Sequence, residues 1–123
     1  MDRTITTYDL LASKVLGAGA VLTSQPVDFR ERAKNGNLSL EYVITASGSP
    51  TVDIDYQLSF DGVNWVDGST TLADGLTKAS GTSGRGVIDI STSIELAPWG
   101  RFKMTEDASD ASGATVSLKL AMQ

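Results

Sequence analysis

A chain of 123 residues with 41% hydrophobic content supports one folded domain with its own core and leaves little room for a second. It contains no cysteine and no histidine, which excludes disulfides, thiolate nucleophiles, Ser–His–Asp and Cys–His triads, and cysteine- or histidine-held metals. The formal net charge of −5 repels polyanions, and the densest basic stretch, Arg30, Arg32 and Lys34, is interrupted by Glu31, so no nucleic-acid partner is expected.

The N-terminal stretch lacks the basic start, long apolar run and cleavage site of a signal peptide. No apolar run approaches the roughly 18 to 20 residues that span a bilayer. The expectation is a soluble chain made in the cytoplasm, with no membrane partner. Thr4 to Leu11 is β-branched and reads as a strand, although Tyr8 to Leu16 also fits a short helix. Gly17 to Ala20 is a flexible break, and Val27 to Arg30 reads as a short strand. Residues 1–26 are expected to form an N-terminal arm or first strands, and residues 27–123 the main β-sandwich domain. Such an arm could order by adding a strand to a neighbour.

Strict period-2 alternation begins at Leu38. Leu38, Leu40, Tyr42 and Ile44 share one face; in the next segment Val52, Ile54, Tyr56, Leu58 and Phe60 do the same. Both segments read as half-buried antiparallel strands. Asp61-Gly62 has the composition of a two-residue type I′ turn. That turn would set Phe60 opposite Val63 and Leu58 opposite Trp65, all on the core face. Asp67 to Gly86 is rich in Gly, Ser and Thr and reads as a long loop with one short strand near Thr71 and Leu72. Strand character resumes over Val87 to Ser91. After Pro98, Gly100, Phe102 and Met104 alternate with Trp99, Arg101 and Lys103. The last strand alternates through Val116, Leu118, Leu120 and Met122, and is expected to form a hairpin with the strand before it. The fold class is all-β: an antiparallel β-sandwich or jelly roll of about 7–9 strands.

No residue pattern demands catalysis. Asp53 and Asp55 project from one face of a strand, but that face is expected to be solvated, where nothing raises a carboxyl pKa for glycoside chemistry. Glu106, Asp107 and Asp110 crowd one loop, and Asp61, Asn64 and Asp67 another. Neither has the spacing of a calcium-binding loop, and turn chemistry accounts for both. Gly81, Gly84 and Gly86 around Arg85 lack the lysine and the following helix of a phosphate loop. No enzyme activity and no cofactor is expected. Trp65 is expected in the core. Trp99 falls on the face opposite Phe102 and, with Arg101, is an interface candidate because Trp and Arg dominate binding hot spots. Tyr8 and Leu11 are the interface candidates of the N-terminal segment.

The run Ser59-Phe60-Asp61-Gly62-Val63-Asn64-Trp65 resembles an S-x-D-G-x-N-W signature of small β-sandwich structural proteins in tailed bacteriophages and prophages. The order of the pieces is also similar: an alternating strand, the turn, a Gly/Ser/Thr-rich stretch, the segment Leu96 to Asp107, and a final strand over Thr115 to Gln123. The resemblance covers the last two-thirds of the chain. It implies a virion structural protein, assembled in the host cytoplasm, that decorates or cements the capsid or sits at the neck or tail. Its partner would then be the major capsid protein, with self-association as a homotrimer; the alternative is a tail or neck module that recognises a glycan or a host surface protein.

Overall fold

A computed structural model describes residues 5–30, 36–107 and 110–123. Thr4, Glu31, Arg32 and Lys34, named above, lie outside the described residues. Ten strands follow one another: β1 (Thr6–Leu16), β2 (Val21–Thr23), β3 (Val27–Asp28), β4 (Leu38–Thr45), β5 (Val52–Ser59), β6 (Val66–Asp67), β7 (Ala73–Leu76), β8 (Arg85–Asp89), β9 (Trp99–Glu106) and β10 (Ala114–Met122). One sheet runs β1-β10-β4-β8. The other runs β2-β9-β5-β6, with β3 also on β9 and β7 also on β5. All strand pairs are antiparallel. The fold is thus an antiparallel β-sandwich, and its two- and three-residue strands raise the count above the expected seven to nine. No helix among the described residues is long and apolar enough to cross a membrane.

Period-2 alternation builds the core. Leu40, Tyr42 and Ile44 of β4 and Val116, Leu118, Leu120 and Met122 of β10 face Val52, Ile54 and Tyr56 of β5 and Phe102 and Met104 of β9. Each buried Leu, Ile, Val, Phe or Met side chain contributes roughly 1.5–3 kcal/mol, so this shared layer dominates stability.

Several expectations are corrected. The helix alternative for Tyr8–Leu16 gives way to a strand paired with β10. Register shifts between Asp9 and Leu11, and between Leu11 and Lys14, interrupt that pairing. Leu10 and Leu11 are adjacent yet both buried, which breaks the alternation and explains the ambiguous pattern. β9 and β10 form no hairpin: β9 lies in one sheet and β10 in the other. Alternation marks a face toward the core, and two strands meeting across a sandwich satisfy it as well as two neighbours in one sheet. The strand expected near Thr71 and Leu72 forms instead at β7, Ala73–Leu76, and the next at β8, Arg85–Asp89.

The turn after β5 is also longer than two residues. Leu58 pairs with Val66 and Gln57 with Asp67. The cause is the Asp61 side chain. Its Oδ1 accepts from the Val63 and Asn64 amides at 2.8 Å each, and its Oδ2 accepts from Asn64 Nδ2 at 2.7 Å. Ser59 Oγ donates to Asp61 Oδ1 and accepts from the Gly62 amide, while Gly62 takes φ +76°. A carboxylate that captures two later amides competes with the plain hairpin turn. Phe60 and Val63, expected in the core, are therefore 79% and 76% exposed.

Candidate functional site

The outward face of the β2-β9-β5-β6 sheet carries Trp99, Arg101 and Lys103, alternating with buried Gly100, Phe102 and Met104. The Arg30 guanidinium lies 4.6 Å over the Trp99 ring, and the Arg101 guanidinium lies 4.3 Å over Trp65. Arg101 Nε also donates to Gln57 Oε1 at 2.7 Å. Trp65 is thus no core residue: it lies half-buried on the sheet's outer face under Arg101, a correction that follows from the longer turn. A Cβ at Gly62 would lie 3.6 Å from the Trp99 indole, so the turn rests on Trp99. The S-x-D-G-x-N-W run is therefore explained locally. Ser59, Asp61 and Asn64 tie the loop, Gly62 takes its positive φ, and Trp65 docks it on Arg101.

Of the four interface candidates, the structure brings Trp99 and Arg101 to this one face. Tyr8 and Leu11 lie on β1 in the other sheet. Tyr8 is partly buried against the core, and Leu11 is 6% exposed within it.

The feature missed in the sequence is an apolar ridge beside that face. Phe60 is 79%, Leu96 95% and Val66 68% exposed. Phe60, Glu95 and Leu96 line two adjoining grooves at once. The larger, about 720 Å³, also takes in Phe29, Leu38 and Pro98. The smaller, about 410 Å³, takes in Leu58, Val66, Asp61 and Asp67. The signal was present: β5's apolar alternation continues to Phe60, one residue past the end of the strand.

Glu95 fixes the ridge to the core. Its Oε2 accepts from the Tyr56 hydroxyl at 2.7 Å, its Oε1 accepts from the Ser69 amide at 3.2 Å, and the Ser69 hydroxyl also donates to it. The Ser69 and Tyr56 hydrogen bonds hold its pKa down to about 2. Gly68 lies flat on the Tyr56 ring, where a Cβ would come within 2.1 Å.

At the far end of the same sheet, Asp53 of β5, Asp74 of β7 and Asp107 after β9 bring carboxylate oxygens within 4.8 Å of one another. Asp55, the strand neighbour of Asp53, is not part of this group, and Asp61 ties its own turn, in line with the turn chemistry expected of that loop. The hydrogen bond to Asp53, and then its charge, raise the Asp74 pKa; the charge of Asp53, and then its hydrogen bond, raise that of Asp107. Three oxygens would form part of a calcium shell, which takes six to eight. Asp74 escaped notice because it lies in the stretch read as loop. Asp110 instead accepts from the Ser49 and Ser112 amides. Glu106 is buried, 1% exposed, and accepts from the Gly19, Thr51 and Asp110 amides.

No protein-family model matches the sequence, and no curated protein matches it. Similarity appears in three dimensions. The chain superposes on the infectious bursal disease virus VP2 subviral particle protein with a TM-score of 0.62 at 12% identity, covering 99% of this chain and 33% of that one. The protein of the T=1 particles derived from the same virus gives 0.60 at 13% identity, over 99% and 32%. PNGase F, a glycosylasparaginase from Flavobacterium meningosepticum, gives 0.56 at 11% identity, over 98% and 42%. The chain spans about a third of the length of the viral proteins. At these identities the likeness is one of fold: an antiparallel β-sandwich shared by proteins of different function.

Proposed function

We propose that this chain is a non-enzymatic structural component of a virion, and that it decorates or cements an assembled capsid. The carrying observation is the contiguous apolar ridge of Phe60, Val66 and Leu96, because apolar surface gathered in one place marks a protein-contact site where scattered single residues do not. The sandwich shared with the particle-forming viral proteins and the phage-like S-x-D-G-x-N-W run support the same reading. Binding only to the assembled shell would stabilise it by mass action, and many copies bridging capsomers of the major capsid protein would add multivalent strength. Trp99 and Arg101, beside the ridge, are the proposed contacts of the outer face. Shell symmetry invites a trimer at three-fold positions.

Quantitative mass spectrometry of purified virions tests this. A copy number approaching that of the major capsid protein, or one trimer per shell three-fold, supports decoration. Absence from particles overturns it.

A second reading is a neck or tail module that recognises a glycan. The Asp53–Asp74–Asp107 trio, at the far end of the sheet whose outer face carries Trp65 and Trp99, favours it. It requires only a few copies per particle, and a glycan array with no binding in the presence or absence of calcium excludes it.

A further inference from the structure

We propose that the Asp74–Gly75 bond is a site of self-modification, where Asp74 closes on the Gly75 nitrogen to a succinimide and reopens as isoaspartate, with Asp53 as the base. The reading is independent of the virion proposal.

Three Asp-Gly pairs lie among the described residues: Asp61-Gly62, Asp67-Gly68 and Asp74-Gly75. Such pairs suit this chemistry because glycine puts no side chain in the way of ring closure. The fold shuts two of the three. Asp61 accepts from the Val63 and Asn64 amides at 2.8 Å each, and the Gly62 amide donates to Ser59 Oγ. Asp67 accepts from Gln57 Nε2 at 2.8 Å and pairs with Lys103. The Gly68 amide donates to the Tyr56 carbonyl at 3.0 Å, with the Tyr56 ring pressed against Gly68. Neither carboxylate can swing onto its nitrogen without breaking these bonds.

The third pair is open. β7 meets β5 through Ala73 opposite Ile54 and Leu76 opposite Val52, so Asp74 and Gly75 together face the single residue Asp53. Two residues against one make a β-bulge, which interrupts the backbone ladder. Both bulge residues are exposed, Gly75 takes φ +69°, and a Cβ placed on it would meet nothing within 4 Å. The Gly75 amide donates to Asp53 Oδ1 at 2.8 Å. Carboxylate oxygens of Asp53 and Asp74 also lie within 4.8 Å of each other. One carboxylate therefore reaches both the attacking nitrogen and the group it attacks, as a general base must. In the step, the bond from Gly75 N to Asp74 Cγ forms and one Cγ–O bond breaks. The oxygen leaves as water, carrying the amide proton relayed by Asp53 and one proton from solvent. The imide is neutral, so closure discharges one of three crowded carboxylates. Water then opens the ring. Cleavage at Cγ restores Asp74, and cleavage at the main-chain carbonyl leaves the chain running through the side chain, which lengthens β7 by one carbon.

The test is to hold the purified full chain at neutral pH and physiological temperature, digest it, and locate isoaspartate by electron-transfer fragmentation, which separates the two linkages at equal mass. The succinimide reads as the loss of one water. Product at Asp74 should exceed that at Asp61 and Asp67 at least about tenfold, and in urea the three pairs should react alike. Asp53→Asn can still accept from the Gly75 amide but is a poor base. It should slow the folded chain at Asp74 at least about tenfold and change nothing in urea. Asp107→Asn removes a charge from the same trio and leaves the amide's acceptor in place, so it should react much faster than Asp53→Asn. No isoaspartate at Asp74, or equal product at all three pairs in the folded chain, overturns the proposal. Equal slowing by Asp53→Asn and Asp107→Asn overturns the role of Asp53 as base.

Discussion

Glu106 is the residue on which one end of the sandwich converges. Its carboxylate is 1% exposed and accepts from Gly19 in the β1–β2 loop, Thr51 before β5 and Asp110 before β10. A buried carboxylate is tolerated only when its lone pairs are used, and here removing it strands amides from three loops. Glu106→Ala is expected to cost about 2–4 kcal/mol in urea unfolding. Asp9→Ala, which removes an exposed ion pair to Lys119 at 3.8 Å, should stay within about 0.5 kcal/mol. Glu95 makes a different, pH-dependent prediction. The Ser69 and Tyr56 hydrogen bonds lower its pKa from 4.5 to about 2. The folded state therefore holds its proton less tightly than the unfolded state. The stability it contributes is present above pH 4.5 and is lost as pH falls from there through about 2. Glu95→Gln should melt below the parent protein at neutral pH, with the gap closing across that window. These roles were hidden in the sequence because each depends on partners that alternation does not reveal. Glu106 and Ser69 looked like loop polar residues, and Trp65 looked like core because a two-residue Asp-Gly turn leaves the Asp61 side chain no loop to tie.

At the scale of elements, what was legible was the face of each long strand. Leu40, Tyr42, Ile44, Val52, Ile54, Tyr56, Phe102, Met104, Val116, Leu118, Leu120 and Met122 are all buried as the alternation requires. What was not legible was pairing. β9 and β10 are joined by a short connection but belong to opposite sheets, and period-2 alternation is blind to that difference. The bulges of β1 concealed a strand by placing Leu10 and Leu11 side by side in the core. The same blindness concealed the acidic trio, because β7 brings Asp74 against β5 from a segment whose Gly-, Ser- and Thr-rich composition reads as loop. The trio carries its own prediction. Asp74 and Asp107 have raised pKa values caused by Asp53. A raised carboxyl pKa means that the folded state binds its proton more tightly, so the cost of the cluster appears as pH rises through the raised range. Asp53→Asn removes the common neighbour, and its side-chain oxygen can still accept from the Gly75 amide, now at 2.8 Å. The variant should melt above the parent at neutral pH and lose that advantage as pH falls. Equal melting temperatures across the titration would show that solvent already screens the trio.

For the molecule as a whole, the open question is whether residues 1–26 are an appendage or part of the folding unit. β1 contributes Leu10, Leu11 and Leu16 to the single core cluster, exposed by 7%, 6% and 0%. At roughly 2 kcal/mol each, three buried leucines are worth about 6 kcal/mol, comparable with the entire 5–15 kcal/mol that holds a domain folded. β1 also covers one whole side of β10, from Thr6 against Met122 to Leu16 against Ala114. Its loss would turn the apolar strand at the centre of that sheet into a long open edge, a template for aggregation. An arm that orders only on a neighbour would carry neither burden. Removing residues 1–26 is therefore expected to leave a chain with no cooperative thermal transition by circular dichroism and a strong tendency to aggregate. A shortened chain that stayed monomeric and melted cooperatively near the parent temperature would instead show that residues 27–123 fold alone. In that case the three leucines would contribute far less than their burial implies, and the first strand would be free to pair with another protein.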